Sequence, residues 1–252
     1  MSGQRIEIET AEGAADAYLS RPEQGAPRAG VLLLMDAFGL RETIEEIADR
    51  IAARGHVVLA PNLFYRAGRD AVGEMPDLSE PDARGAFMAK LRPLMDELTP
   101  ERLASDGDAY LSRLEAEGAS PIVISGYCMG VRSGWRIATA HPQRVRAIAG
   151  FHGGGLVTDA PDSPHRSAQE LRAELYLAFA DNDQSMTPEN IAELERALEQ
   201  AGVEYRAEVY ECAGHGYTMR DTPVYDEAAA ERHFEALFAV LDGVEGQAAA
   251  TS

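Results

Sequence analysis

The sequence predicts an α/β fold with a mostly parallel central sheet and helices on both of its faces. From residue 31 onward, short apolar runs alternate with amphipathic segments, which is the order of a parallel sheet with crossover helices. The run Val31 to Met35 is almost continuously apolar, as expected for a central strand that is covered on both faces. A chain of 252 residues with 45% hydrophobic residues can bury a substantial core.

The individual elements follow from hydrophobic period and from glycine and proline boundaries. Apolar residues at 44, 47, 48 and 51 form one face of a first helix, which Gly55 ends. Strands are predicted at residues 5–9, 15–20, 31–35, 56–60, 121–125, 144–150, 175–180 and 203–210, the first two as an edge hairpin. Helices are predicted at residues 42–54, 82–97, 100–117, 131–140, 187–200 and 225–241. We expect residues 1–242 to form a single domain and residues 243–252 to form a flexible C-terminal tail.

The segment Gly126-Tyr127-Cys128-Met129-Gly130 is the most informative motif. It lies between an apolar strand and a predicted helix, which is the setting of the nucleophile elbow of α/β-hydrolases, here with cysteine at the central position. A thiol at the start of a helix lies at the positive end of the helix dipole, which favours thiolate. Cys128 is therefore the predicted nucleophile, although free cysteine is also common as a small buried residue.

Two further residues follow predicted strands and complete a nucleophile, acid and base in the chain order of α/β-hydrolases. His215 lies between two glycines in a loop, where packing into a core is unfavourable, and is the predicted base. Asp183 is the favoured acid, with Asp181 as the alternative, because Asp183 lies closer to the following helix. The carboxyl ends of parallel strands meet at one edge of the sheet, so these side chains are expected to converge there.

This set of residues supports acyl transfer. A Cys128 thiolate attacks an ester carbonyl, a thioester forms, and water activated by His215 releases the acid. The tetrahedral oxyanion needs preorganised donors, for which we predict the backbone N–H groups of Ala37 and Met129.

Four segments together resemble the dienelactone hydrolase family over about residues 5–241. They are Met35-Asp36-Ala37-Phe38-Gly39, Pro61-Asn62-Leu63-Phe64-Tyr65-Arg66, the elbow at 126–130 and Ala213-Gly214-His215-Gly216-Tyr217. The resemblance implies the α/β-hydrolase fold and carboxymethylenebutenolidase activity, which opens the lactone ring of a dienelactone to maleylacetate without a metal or organic cofactor.

The resemblance also implies two groups of auxiliary residues. Asp36 corresponds to a carboxylate that interacts with the thiol and helps to activate it when substrate arrives, although the best-known members of the family have glutamate there. Arginines hold the substrate carboxylate in the family, and Arg66, Arg84 and Arg220 are the candidates in this chain. A broad carboxylesterase or thioesterase remains the alternative enzyme, and a non-catalytic binding module with a redox-responsive thiol is a third interpretation.

Composition limits the partners and the location. A net charge of −19 disfavours nucleic acid and anionic membranes, so a small ester or lactone is the expected partner. No apolar run is long enough to span a bilayer, and the N-terminus lacks the apolar core of a signal peptide. With two cysteines and no export signal, the expected location is the cytoplasm. The sequence leaves the oligomeric state open.

Overall fold

An eight-stranded sheet organises the chain. In the computed structural model, which describes residues 3–251, the strands are β1 (Gln4–Thr10), β2 (Gly13–Ser20), β3 (Gly30–Leu34), β4 (Val57–Pro61), β5 (Ile122–Tyr127), β6 (Ala147–Phe151), β7 (Glu174–Ala180) and β8 (Tyr205–Tyr210). Their order in the sheet is β1-β2-β4-β3-β5-β6-β7-β8. Only the β1–β2 and β2–β4 pairs are antiparallel, and all other neighbours are parallel. The predicted α/β class and the edge hairpin are therefore confirmed.

Within residues 3–251, six α-helices accompany this sheet. They are α1 (Glu42–Ala52), α2 (Pro81–Asp96), α3 (Pro100–Ala116), α4 (Met129–Ala140), α5 (Pro188–Ala201) and α6 (Glu227–Thr251), with short 3₁₀ helices at Tyr65–Ala67 and Pro164–Glu170. Helix α3 packs on α4, whereas α1 contacts α6 through Arg50, whose guanidinium lies over the Phe234 ring. Every residue of β3, β5 and β6 is buried, as expected for strands that are covered on both faces.

The register of the sheet determines which loops are neighbours at its carboxyl edge. Leu34 at the end of β3 pairs with Gly126 of β5, so the loop after β3 lies beside the elbow. On the other side of β5, Tyr127 pairs with Phe151 at the end of β6. The loops after β7 and β8 follow at the same edge, since Ala180 pairs with Tyr210. Four loops that are distant in sequence therefore surround Cys128.

The C-terminal segment is helical. Residues 243–251 continue helix α6, and Ser252 lies outside the described residues; the flexibility expected of this segment stays a prediction. Val244 is buried against the core, and Glu245 accepts a hydrogen bond of 2.5 Å from Arg28. An apolar contact and an ion pair therefore hold the segment that composition alone suggested was unanchored. Within residues 3–251, no helix has both the length and the apolar character needed to cross a membrane.

Three histidines are buried in the fold, and burial disfavours their positively charged form. Burial lowers the pKa of His56 to about 4 and that of His233 to about 3, and it holds the pKa of His152 well below the usual range. The His233 Nδ1–H donates to the Ala230 carbonyl oxygen over 2.7 Å. Its Nε2 atom, 2.9 Å from the Tyr127 hydroxyl oxygen, then accepts from that hydroxyl. This arrangement requires neutral histidine.

We predict that acid destabilises the protein partly through these histidines. The pKa of His233 is lower in the folded state than in the unfolded state. Its contribution to stability is therefore fully present above pH ~6.5 and is lost as the pH falls and His233 of the unfolded chain takes up a proton. At pH 5 the loss is about 2 kcal/mol for His233 alone. Urea unfolding at pH 7 and at pH 5 should therefore show a pH-dependent loss of stability that is about 2 kcal/mol smaller in His233→Gln than in the wild type. An identical pH dependence in the two proteins would contradict the assignment.

Candidate active site

Cys128 lies in a strained turn between β5 and α4. Its backbone has φ 53° and ψ −116°, in the region that favours glycine. The Cys128 N–H donates to the Phe151 carbonyl oxygen over 3.1 Å, which ties the turn to the neighbouring strand. The side chain is partly exposed and lines a cavity. The predicted strand, sharp turn and helix are present, with the helix starting at Met129, two residues earlier than expected.

The two glycines of the motif are required by close backbone contacts. A Cβ atom added to Gly130 would lie 2.3 Å from the Leu34 carbonyl oxygen, and one added to Gly126 would lie 2.8 Å from the Gly130 backbone. The absence of these side chains lets the start of α4 pack directly on the end of β3. This packing brings Cys128 close to the loop that follows β3.

The structure brings Cys128, His215 and Asp183 together. The His215 Nε2 atom is 3.0 Å from the Cys128 Sγ atom, and the His215 Nδ1 atom is 2.6 Å from the Asp183 Oδ2 atom. Since the carboxylate only accepts, the Nδ1 position carries the proton, and Nε2 is free to exchange a proton with the thiol. The three groups have the contacts of a nucleophile, a base and an orienting acid.

The partners of His215 and Asp183 shift the pKa values of both side chains. Burial by itself lowers the pKa of His215, but the adjacent Cys128 sulfur and the Asp183 carboxylate outweigh burial and raise that pKa above its usual range. Burial raises the pKa of Asp183, but the His215 imidazole and Ser185 outweigh it and lower that pKa. The neighbouring sulfur and carboxylate therefore favour the protonated form of His215, and Asp183 favours its ionised form.

The geometry also separates the two candidate acids. The Asp181 carboxylate accepts a hydrogen bond of 3.0 Å from the Cys212 backbone N–H and does not contact His215. Asp183 Oδ1 instead accepts from the N–H and the hydroxyl of Ser185, over 2.8 and 2.7 Å. Ser185 was not singled out from the sequence. A serine two residues after an aspartate in a turn is the available signal, because such pairs commonly form local hydrogen bonds.

The two predicted oxyanion donors flank the thiol. Met129 is the first residue of α4, where the backbone N–H has no partner within the helix. Ala37 lies in the loop after β3 and lines the same cavity as Cys128. Within residues 3–251, neither N–H group donates to another protein group. Both are therefore available to an oxygen that develops negative charge at this point.

Asp36 does not have the contacts of a thiol base. Its carboxylate accepts hydrogen bonds from the Arg41 guanidinium over 2.6 and 3.1 Å and from the Phe38 N–H over 3.0 Å. In the part of the chain that the structure describes, no hydrogen bond joins Asp36 to Cys128. A half-buried arginine holds the carboxylate in this structure, and the role of Asp36 in activating the thiol when substrate arrives stays a prediction.

The site opens into a small cavity of about 240 Å³. Most of its lining is apolar and comes from Phe38, Leu78, Met88, Met219, Pro223 and Val224. Besides Cys128 and the histidines, its ionisable lining residues are Asp36 and Arg84. This is space for the acyl part of a small molecule and not for a polymer.

Of the three candidate arginines, the structure brings only Arg84 to the cavity. The Arg66 guanidinium donates to Asp106 over 2.8 and 2.9 Å, and that of Arg220 pairs with Glu46 on the surface. The predicted substrate-binding roles of Arg66 and Arg220 do not fit these positions, because both groups are held by carboxylates outside the cavity. Arg84 is exposed on α2, and no ion pair to it is present within residues 3–251.

His152 is a site residue that the sequence analysis missed. It is fully buried, lines the cavity, and its ring centroid lies 5.5 Å from that of His215. Its Nε2 atom is 2.7 Å from the Thr218 hydroxyl oxygen. His152 directly follows β6, so the rule that selected the other candidates, a polar residue after a parallel strand, also applied to it. Among the described residues, no group of three or more His, Cys, Asp or Glu side chains is arranged to hold a metal ion.

A parallel sheet with a nucleophile elbow, followed by an acid after β7 and a histidine after β8, defines the α/β-hydrolase class. Within this class, a family model described as the dienelactone hydrolase family matches residues 15–244. The chain therefore belongs to the dienelactone hydrolase family, as the motifs indicated.

Individual relatives agree with this placement. The chain is 28% identical over 222 residues, 85% of its length and 77% of the relative's, to an Escherichia coli K12 protein named "putative carboxymethylenebutenolidase". A crystal structure named "putative dienelactone hydrolase" from Klebsiella pneumoniae superposes with a TM-score of 0.80 at 23% identity, covering 95% of this chain and 98% of that one. Dienelactone hydrolase from Anabaena variabilis gives a TM-score of 0.63 at 18% identity, covering 98% and 97%. At these identities the two structures show the shared fold.

We predict that Gly130→Ala is destabilising, because the new methyl group would overlap the Leu34 carbonyl oxygen. Relief of such an overlap costs roughly 1–3 kcal/mol. Gly85→Ala is the matched control, since a Cβ there meets nothing within 4 Å and α2 is otherwise unchanged. This control should gain about 0.5–1 kcal/mol from helix propensity. Thermal unfolding of both variants tests the difference, and equal midpoints would show that the close packing at the elbow is wrong.

Proposed function

We propose that the protein is a cysteine-dependent hydrolase of ester or lactone bonds that works through a thioester. The observation that carries the proposal is the short line from the Cys128 Sγ atom to His215 Nε2, 3.0 Å, and from His215 Nδ1 to Asp183, 2.6 Å. Membership of the dienelactone hydrolase family supports hydrolysis as the reaction class. The complete set of nucleophile, base and acid is more than a redox-responsive binding module requires.

The mechanism follows from the positions of these groups. The Cys128 thiolate adds to the carbonyl carbon, and the Ala37 and Met129 N–H groups stabilise the oxyanion. Collapse breaks the bond between the acyl carbon and the leaving oxygen, to which the His215 imidazolium gives its Nε2 proton. A thioester on Cys128 remains. His215 then takes a proton from water, the resulting hydroxide attacks the thioester, and the carboxylic acid and the free thiol are released.

The substrate proposal rests on the cavity and on the family. Relatives named "putative carboxymethylenebutenolidase" support a lactone such as a dienelactone, opened to maleylacetate, as the substrate class. Arg84 is the cation at the cavity and is the proposed partner of a substrate carboxylate. The mostly apolar lining favours a second candidate, a broad carboxylesterase or thioesterase that acts on small uncharged acyl groups.

We predict that His215→Ala lowers kcat by at least about 100-fold, because general acid–base catalysis supplies roughly this share of the rate. Cys128→Ala should abolish turnover and the burst of acyl-enzyme. A panel of lactones and p-nitrophenyl esters, assayed with the wild type and both variants, tests this prediction.

Cys212→Ala is the matched control for the thiol. Cys212 is exposed and lies at the end of β8, and its backbone N–H, not its side chain, bonds to Asp181. This variant should keep wild-type activity. A His215→Ala enzyme that folds and loses less than threefold in kcat, or a Cys212→Ala enzyme without activity, would overturn the proposed nucleophile and base.

We predict that Arg84→Gln weakens the binding of anionic substrates selectively. Loss of one charge-assisted contact should raise KM for an ester with a free carboxylate by about tenfold, and KM for its neutral methyl ester by less than threefold. Arg92→Gln is the control, since Arg92 is exposed on the same helix but does not line the cavity. Equal effects on the two substrates would assign Arg84 to the solvated surface.

A further inference from the structure

Arg41 bridges two carboxylates beside the site, the buried Asp36 and the more exposed Asp221. It lies at the N-cap position of α1, and its guanidinium donates to both oxygens of Asp36, over 2.6 and 3.1 Å. The same group donates to both oxygens of Asp221, over 2.5 and 3.1 Å. The side chains of Arg41 and Asp36 are 17% and 5% exposed, so solvent screens this contact poorly. The two bidentate contacts use four of the five N–H donors of the guanidinium, and its Nη1 also donates to the Gly39 carbonyl oxygen over 3.2 Å.

The two carboxylates belong to different loops of the site. Asp36 lies in the segment 35–40, here named the oxyanion loop, which contains the Ala37 N–H. Asp221 lies in the segment 211–226, here named the histidine loop, which contains His215. The oxyanion donor and the proton-transfer group must hold fixed positions relative to the Cys128 sulfur, and Arg41 connects their two loops directly.

The same contacts leave Asp36 without a role as a base. Its Oδ1 accepts from Arg41 and from the Phe38 N–H, and its Oδ2 accepts from Arg41. To take the thiol proton, the Asp36 carboxylate would have to break its bidentate contact with Arg41. The guanidinium would then be left with fewer hydrogen-bond acceptors. His215 is already 3.0 Å from the sulfur and needs no such rearrangement.

We propose that Arg41 is a positioning residue, and that Asp36 anchors it instead of acting as a base on the Cys128 thiol. Arg41 holds the oxyanion loop against the histidine loop through Asp36 and Asp221. The inference rests on the proposed cysteine mechanism. It adds which residues keep the oxyanion loop and the histidine loop in fixed relative positions.

Arg41→Gln and Asp221→Asn test the proposal with two readouts. Displacement of the Ala37 N–H from the oxyanion position should lower kcat by about 10- to 100-fold, with KM changed less than threefold. The rate of Cys128 alkylation by iodoacetamide at pH 7 should stay within about threefold of wild type, because the thiol keeps His215. Asp221 does not line the cavity, so Asp221→Asn changes the bridge without altering a group that meets substrate.

Three further variants complete the experiment. Arg220→Gln is the matched control, since Arg220 is the neighbour of Asp221 in the histidine loop but pairs with Glu46 on the surface, and its kcat should equal that of the wild type. Arg41→Lys should recover part of the lost kcat, because an ammonium keeps the charge but cannot form both bidentate contacts. Asp36→Asn should resemble Arg41→Gln in kcat and should also leave alkylation within threefold.

Two results would overturn the proposal. If Asp36 were the base, Asp36→Asn would slow alkylation, whereas Arg41→Gln would free the carboxylate and accelerate it. Alternatively, folded Arg41→Gln and Asp221→Asn enzymes with wild-type kcat, alongside an inactive Cys128→Ala enzyme, would show that the bridge positions nothing. Failure of the underlying mechanism looks different, because hydrolysis would then persist in Cys128→Ala.

Discussion

The strained backbone at Cys128 is the constraint on which the rest of the site depends. A positive φ at a residue with a side chain costs of order 1–3 kcal/mol and persists only where the surroundings enforce it. Here Gly130 packs on the Leu34 carbonyl oxygen and the Cys128 N–H bonds to Phe151, so the neighbours β3 and β6 both hold the turn. The turn places the sulfur at the start of α4 and above the edge of the sheet, where the loops after the other strands can reach it.

The two histidines near the thiol, His215 and His152, differ in their preferred protonation state. His215 lies between the Cys128 sulfur and the Asp183 carboxylate, and these raise its pKa although burial alone would lower it. His152, packed 5.5 Å from His215, has no anionic partner among its hydrogen bonds, and burial keeps it neutral. Two adjacent imidazoles therefore have opposite protonation preferences. The difference comes from their partners, because burial alone would lower the pKa of both.

The fold and the family were predictable from local patterns, and the auxiliary residues were not. Apolar runs and helix boundaries identify the elements because each reflects the burial of one strand or one helix face. Arg41 contacts residues of another loop, for which no periodic signal exists, whereas Ser185 and His152 had only a turn pattern and a position after a strand. The burial of Val244 likewise depends on a surface that the rest of the chain builds.

The sequence by itself determined the α/β class, the elbow with a cysteine at its centre and the dienelactone hydrolase family. Those features are encoded within short segments, where glycine spacing and hydrophobic period act directly on the backbone. Only the tertiary structure decided that Asp183 and not Asp181 contacts His215, that Arg84 alone of three arginines lines the cavity, and that Asp36 is held by Arg41. The physical reason is that a charged side chain takes the partner nearest in space, and the register of the sheet determines which partner that is.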